Sequence, residues 1–220
     1  MSGFAGFDSS AFPGLAATSW LKSNTNLRWC GFYLAPAPSH SGRDWMPHRA
    51  ELVQQGWGLA PLYVGQQVVG KGSKLSSDPQ GRTDGLQAAA LMNSAGFAEG
   101  TYVYLDLENG PPFSPVQRGY VGSWVDTVAA SGFGPGIYCS HGFAQEVHAL
   151  RPAARIWAFK VLTADTHAVP GNNFPDSHPS GSGFTGAFIW QLAQNAVISS
   201  RSPQTLKVDL DSSVAPDPGR

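Results

Sequence analysis

Residues 102–110 read YVYLDLENG. Apolar side chains lead to two acids two positions apart, Asp106 and Glu108, and the run breaks at Asn109-Gly110. Along a strand, residues i and i+2 share a face. Tyr102, Tyr104, Asp106 and Glu108 are therefore expected on one side, and Val103, Leu105 and Leu107 on the other. Only 13% of the chain is charged, yet two like charges end what reads as a buried strand. One explanation is a solvated strand end. The other is a pair of working carboxylates.

Working outward, short apolar runs recur at a regular beat: 3–8, 28–35, 58–65, 101–108, 134–140, 154–161, 187–193 and 206–213. Helix-like stretches separate several of them, at 43–56, 82–97, 114–133 and 141–150. The third of these opens with Ser114-Pro115, a usual helix start. Strand alternating with helix signals a parallel sheet. Eight such strands in 220 residues predict a compact α/β fold, a (β/α)8 TIM-like barrel. Its last two βα units read as irregular, because 162–186 is rich in Pro, Gly, Asn, Ser and His and nothing helical follows the last strand. An open doubly wound sheet is the competing architecture. Against it, no glycine-rich phosphate loop follows any strand, and 65–76 does not have the spacing.

The bulk composition fits one barrel domain spanning 1–220. The chain is 42% hydrophobic with net charge −1, and its Lys and Arg are scattered singly. That pattern argues against a nucleic-acid partner. No apolar run reaches the roughly 18 residues of a membrane span. The opening MSGFAGFDSS shows no signal-peptide pattern, so action outside the cytoplasm would require another export route or an excised domain. Cys30 and Cys139 lie inside apolar runs and read as buried free thiols. No Cys/His spacing suits zinc, and neither a metal nor another cofactor is expected. The six histidines read as surface or capping residues, and Ser140-His141 cannot form a triad as neighbours.

The strand-face argument extends to other acids. Asp8 ends the first strand, on the face of Phe4 and Gly6. Asp209 and Asp211 share a face of the last strand, opposite Val208 and Leu210. In a closed barrel the first and last strands are neighbours, so four or five carboxylates are expected to converge at one mouth, where such barrels keep their active sites. Crowded like charges resist ionisation, so some of these acids hold their proton at higher pH than a free carboxyl. A protonated acid beside ionised ones is the equipment of glycoside hydrolysis. Sugar rings present an apolar face to aromatic side chains, which makes Tyr63, Tyr138 and Trp157 candidates for a glycan groove. Gln66, Lys160 and Gln191 are candidate hydrogen-bonding partners. Trp190 is expected to point outward to the helices, and Trp20, Trp45 and Trp124 to fill the core. The same acids could instead hold Mg2+ or Ca2+ in a phosphodiesterase.

Nearly the whole chain resembles the glycoside-hydrolase-like domains of bacterial and actinobacterial proteins, whose barrel is similar to that of family 25 lysozymes. The resemblance rests on GFDSS (6–10), GFYLAP (31–36), GLAPLYVGQQ (58–67), 81–97, YVYLDLE (102–108), GIYCS (136–140), IWQLAQN (189–195) and VDLD (208–211). It implies cleavage of the β-1,4 bond between N-acetylmuramic acid and N-acetylglucosamine in peptidoglycan. Glu108 would be the general acid and Asp106 would stabilise the reacting sugar centre or orient its N-acetyl group. Asp8 and Asp209 would hold and tune that pair. Asp211 stands where those lysozymes usually have Asn, and would line the substrate site. A barrel that binds glycan or a partner without turnover is the alternative implied by the family's uncertain activity. Either reading implies action outside the cytoplasm, in an extracellular or periplasmic setting.

Overall fold

The computed structural model describes residues 2–110, 112–168, 173–199 and 205–220. Six strands follow in order, β1 (Phe4–Asp8), β2 (Trp29–Tyr33), β3 (Gly58–Val64), β4 (Tyr102–Asp106), β5 (Gly134–Ser140) and β6 (Arg155–Ala164), each pairing in parallel with the next. A two-residue strand β7 (His167–Ala168) pairs only with the far end of β8 (Ala187–Ser199), while β8 also pairs in parallel with β6. The last strand, β9 (Thr205–Ser213), joins β8 to β1 and closes an eight-stranded TIM-like barrel with β7 outside the ring.

One expectation is corrected here. The barrel is not a ring of parallel strands throughout, because β9 runs antiparallel to both β8 and β1. A parallel partner needs a crossover of a dozen or more residues, and only positions 200–204 separate β8 from β9. The chain therefore returns as a hairpin. Asp209 consequently lies within its strand rather than at a C-terminal end. Because β9 enters from the mouth, Asp209 still pairs across from Asp8, at the level where β1 ends.

Among the described residues five α-helices cover the barrel: α1 (Leu15–Asn24), α2 (Arg49–Gln54), α3 (Asp78–Ser94), α4 (Pro115–Ala130) and α5 (His141–Leu150). Helix α1 has only an unbounded counterpart in the sequence, the helix-like stretch around Trp20. It buries only Thr18 and Leu21 and starts at Gly14 without a side-chain cap, so its pattern is faint. In contrast, α4 begins with a reciprocal cap between Ser114 and Gln117. Helix α3 begins four residues before the expected stretch, at the Ser77 cap with Pro79 behind it. The segment expected to be loop, 162–186, is partly strand, since β6 runs on to Ala164 and pairs with Ala193 and Gln194.

Inside the ring, Trp29, Tyr104 and Trp157 meet edge to face, with Trp157 5.5 Å from Trp29 and 5.6 Å from Tyr104. Gly6 and Gly136 make room for these rings. A Cβ on Gly6 would stand 2.1 Å from Trp29, and one on Gly136 would stand 2.4 Å from Tyr104. Below this layer the C-terminal tail seals the bottom of the barrel. Tyr104 Oη donates to the Pro218 carbonyl, Tyr102 N to that of Gly219, and Leu59 N to Asp217 Oδ1. Arg155, held between the Tyr102 and Phe188 rings, bonds the carbonyls of Pro218 and Arg220. At the opposite end, the interior opens at the strand ends that carry the acids. Cys30 and Cys139 are free and buried.

Candidate active site

The mouth holds a cleft of about 290 Å3 lined by Asp8, Ser9, Ser10, Tyr33, Val64, Asp106, Glu108, Asn195, Lys207, Val208 and Asp209. Beneath it an inner cavity of about 70 Å3 reaches Tyr138, Trp157 and Gln191. A wider trough of about 960 Å3 runs between α3 and α4, on the outer face of the barrel and away from these acids.

The acids of β1 and β9 are tied into one network. Tyr33 Oη donates to Asp8 Oδ1 at 2.6 Å. Gln191 Nε2 donates to Asp209 Oδ2 at 2.7 Å and reaches Asp8 Oδ2 at 3.5 Å, while Gln191 Oε1 accepts from Tyr138 Oη at 2.7 Å. Asn195 N donates to Asp209 Oδ1 at 2.7 Å, across the bulge where β8 leaves regular pairing with β9. Asp211, fully buried below, accepts from Trp157 Nε1 at 3.0 Å through Oδ1. No donor group of another described residue reaches its Oδ2. The interaction between the two carboxyls favours the ionised form of Asp8 and the neutral form of Asp211.

Burial pushes Asp8 up to about 7, with the charge of Asp209 adding to the rise and the Tyr33 hydrogen bond opposing it. Burial also drives Asp211 well above the ordinary carboxylate range, reinforced by Asp8 and Asp209. Asp209 is raised less, because Asn195, Gln191 and Lys207 all favour its charged form against the burial.

The β4 acids are held differently. Asp106 is 5% exposed and its Oδ1 is buried without a hydrogen-bond partner. Burial, then the charges of Glu108 and Asp8, raise it well above the usual range. Regular pairing of β4 ends at Asp106, yet Glu108 lines the same cleft from an exposed position. Two neighbours fix its main chain. Leu107 N donates to the Tyr138 carbonyl of β5 at 3.0 Å, and Glu108 N donates to Gln67 Oε1 at 3.0 Å.

Of the residues expected at the site, the structure brings Asp8, Asp106, Glu108 and Asp209 into the cleft, with Asp211, Gln191, Tyr138 and Trp157 beneath or behind them. Trp157 is fully buried and floors the inner cavity rather than offering a sugar platform. Two expectations are corrected. Tyr63 faces the helices, where its hydroxyl donates to Gln87 Oε1 at 2.6 Å and its ring lies 6.2 Å from Trp124. Leu62 and Val64, on the other face of β3, take the inward positions. Gln66 is buried among structural partners. Its Nε2 donates to Asp84 Oδ2 at 3.0 Å and its Oε1 accepts from Leu75 N at 3.0 Å, so it is not free for a ligand.

Three contributors escaped the sequence reading: Tyr33, Gln67 and Asn195. Tyr33 was accessible by strand parity, since it follows Trp29 and Gly31 on the inward face of β2. Gln67 and Asn195 sit beyond regular pairing, where no periodicity marks them. Among the described residues no three or more His, Cys, Asp or Glu are grouped to hold a metal ion, and no helix is long and apolar enough to cross a membrane.

Comparison with solved structures shows the same fold in bacterial proteins of low sequence identity. An uncharacterised Bacillus stearothermophilus protein superposes with TM-score 0.67 at 16% identity, over 96% of each chain. The Tat-secreted protein Rv2525c of Mycobacterium tuberculosis, solved with L-tartrate, gives TM-score 0.67 at 15% identity, again over 96% of each chain. A bacterial lysozyme from Streptomyces coelicolor gives TM-score 0.60 at 15% identity, over 98% of this chain and 94% of that one. Comparison of the sequence with curated proteins finds no match. The fold is thus glycoside-hydrolase-like and related to that of lysozyme-type enzymes. A family model matches residues 19–206, and the chain belongs to that family, the Rv2525c-like, glycoside hydrolase-like domains.

Proposed function

We propose that this barrel hydrolyses a bacterial cell-wall glycan in the manner of a muramidase, with Glu108 as general acid. The observation that carries the reading is the convergence of Asp8, Asp106, Glu108 and Asp209 on one open cleft. Glu108, on the exposed rim, protonates the departing glycosidic oxygen. Asp106 keeps its proton because it is buried beside other acids, and donates it in a hydrogen bond to the acetamido oxygen of the sugar at the reacting centre. Positive charge that develops on that sugar is stabilised by the partly ionised Asp8 and Asp209. Their positions are held by Tyr33, Gln191 and Asn195. Water then adds to the sugar carbon and gives its proton to the Glu108 carboxylate, which restores the acid. Peptidoglycan lies outside the cytoplasm, so the protein acts there. Secretion of the structurally similar Rv2525c is consistent with this setting.

The test is loss of turbidity and release of reducing ends from purified peptidoglycan, comparing the native protein with Glu108→Gln. Native turnover that the variant loses is the expected result, and equal turnover would remove Glu108 as the acid. A second reading, glycan binding without turnover, is favoured by one feature. Burial pushes Asp8 up to about 7 and Asp106 well above the ordinary carboxylate range, which suits these two cleft acids as hydrogen-bond donors to a bound ligand better than as bases. Saturable binding of peptidoglycan fragments with no released ends would select it.

A further inference from the structure

Beyond Asp106 the sheet lacks a backbone partner on the β3 side, since β3 ends at Val64, opposite Asp106. A side chain takes over there. Gln67, 1% exposed, sends its Nε2 to the Asp106 carbonyl at 2.8 Å and receives the Glu108 amide on Oε1 at 3.0 Å. Those two bonds flank Leu107 as a paired peptide unit of a neighbouring strand would. The loop that carries Gln67 is braced in turn. Gln67 N donates to the Ser73 carbonyl at 2.8 Å, and Gln66 is anchored on Asp84 of α3, which also accepts from Tyr120 of α4. Val68 N adds a contact to Asn109 Oδ1 at 3.3 Å.

We propose that Gln67 is the positioning residue for Glu108: its carboxamide substitutes for a missing stretch of β3 and keeps the segment after Asp106 extended, so that the Glu108 carboxyl stays in the cleft. Glutamine suits the task because one planar group carries both the donor and the acceptor. The role of Glu108 as acid rests on the function proposed above, whereas the clamp itself does not.

Two variants test it. Gln67→Ala removes both bonds. Gln67→Glu keeps the length but changes with pH. Ionised, it offers no donor to the Asp106 carbonyl. Protonated, its carbonyl oxygen accepts from Glu108 N and its hydroxyl donates to the Asp106 carbonyl, so both bonds return. The acids nearby, Asp106 and Glu108 at the end of β4 and Asp84 against Gln66, together with burial, favour the neutral form of a glutamate placed here. Lys71 and Lys74 on the same loop are exposed.

The first readout is amide hydrogen exchange. In Gln67→Ala the Glu108 amide is expected to lose protection by at least about 10-fold, while that of Leu107, bonded to β5, stays protected. The second is kinetics on peptidoglycan fragments. Loss of alignment predicts a fall in kcat of about 100-fold with KM changed less than about 3-fold. The ratio of Gln67→Glu to native kcat is expected to rise as pH falls. Unchanged Glu108 exchange in Gln67→Ala overturns the clamp, and so does undiminished kcat in an active enzyme. If the native protein shows no turnover but Glu108 exchange rises in Gln67→Ala, the clamp stands and the hydrolase reading falls.

Discussion

The mouth of the barrel carries two groups of acids that differ in how they are satisfied. On the β1–β9 side, the cleft acids Asp8 and Asp209 use their oxygens on Tyr33, Gln191 and Asn195, and Asp211, bonded to Trp157, lies fully buried below them. On the β4 side, Asp106 keeps one buried oxygen without a partner, and the Glu108 carboxyl stands exposed on the rim. A carboxyl whose lone pairs are already committed must break protein bonds to meet a ligand, while an uncommitted one does not. Under the proposed hydrolase reading, that difference gives contact with substrate to β4, and maintenance of charge and shape to β1 and β9.

The largest effects should therefore come from β4. Glu108→Gln is expected to reduce turnover of peptidoglycan by about 100- to 10,000-fold, the usual contribution of a positioned acid or base, and Asp106→Ala, which removes the donor to the acetamido oxygen, by less. Asp209→Asn should lose less turnover and more stability, because its oxygens hold Asn195 and Gln191. Comparable kinetic losses on both sides, without any stability cost, would dissolve the distinction.

Stability against pH comes next. Asp8, Asp106, Asp209 and Asp211 all titrate above their ordinary value in the folded protein. The folded state then binds more protons than the unfolded chain once pH exceeds the ordinary carboxylate value, so stability falls as pH rises. For Asp8 the window runs from about 4 to about 7. Within its own window each such acid removes up to about 1.4 kcal/mol per pH unit. Urea denaturation at pH 5 and pH 8 should give the higher midpoint at pH 5, and the reverse order would mean these acids are not held protonated.

The sequence announced the parallel part of this architecture more clearly than its closure. Strands β1 to β6 alternate with loops and helices, and the acid at the end of YVYLD was visible from its two-residue rhythm. Gly58–Val64 was harder to phase, because β3 is buried on both faces and apolar throughout, leaving no alternation to follow. That is how Tyr63 was placed in the groove when Leu62 and Val64 face inward. The antiparallel β9 was in principle legible from the short spacing after β8. The extension of β6 beyond Val161 was not, since Leu162, Thr163 and Ala164 run directly into a stretch rich in turn-forming residues. Gln67 had none either: its importance comes from reaching another segment's backbone, a tertiary relation that local pattern does not encode.

A smaller effect is expected from Tyr33→Phe, which removes the hydroxyl that bonds Asp8. A hydrogen bond to a charged group contributes about 1.5–3 kcal/mol, and a neutral one about 1. Asp8 is mostly protonated below about 7, so the variant should lose more stability at pH 8 than at pH 5. An equal loss at the two pH values would mean the tyrosine does not sense the charge of Asp8.

The smallest expected change is in the direction of greater stability. Asp211→Asn keeps an acceptor for Trp157 Nε1 and turns the other position into a permanent donor toward Asp8. The amide keeps the hydrogen bond that Asp211 already gives to ionised Asp8, while a buried carboxyl held well above its ordinary range disappears. The variant is therefore spared the stability that the Asp211 carboxyl costs as pH rises. At pH 8 it should gain about 1 kcal/mol. At pH 4, where both acids are protonated in the native protein, the gain should vanish. Urea titrations at the two pH values read this directly. A loss of stability at both would mean that the floor of the cleft depends on the Asp211 carboxyl for its shape, and that the β1–β9 acids form a fixed scaffold rather than an adjustable store of protons.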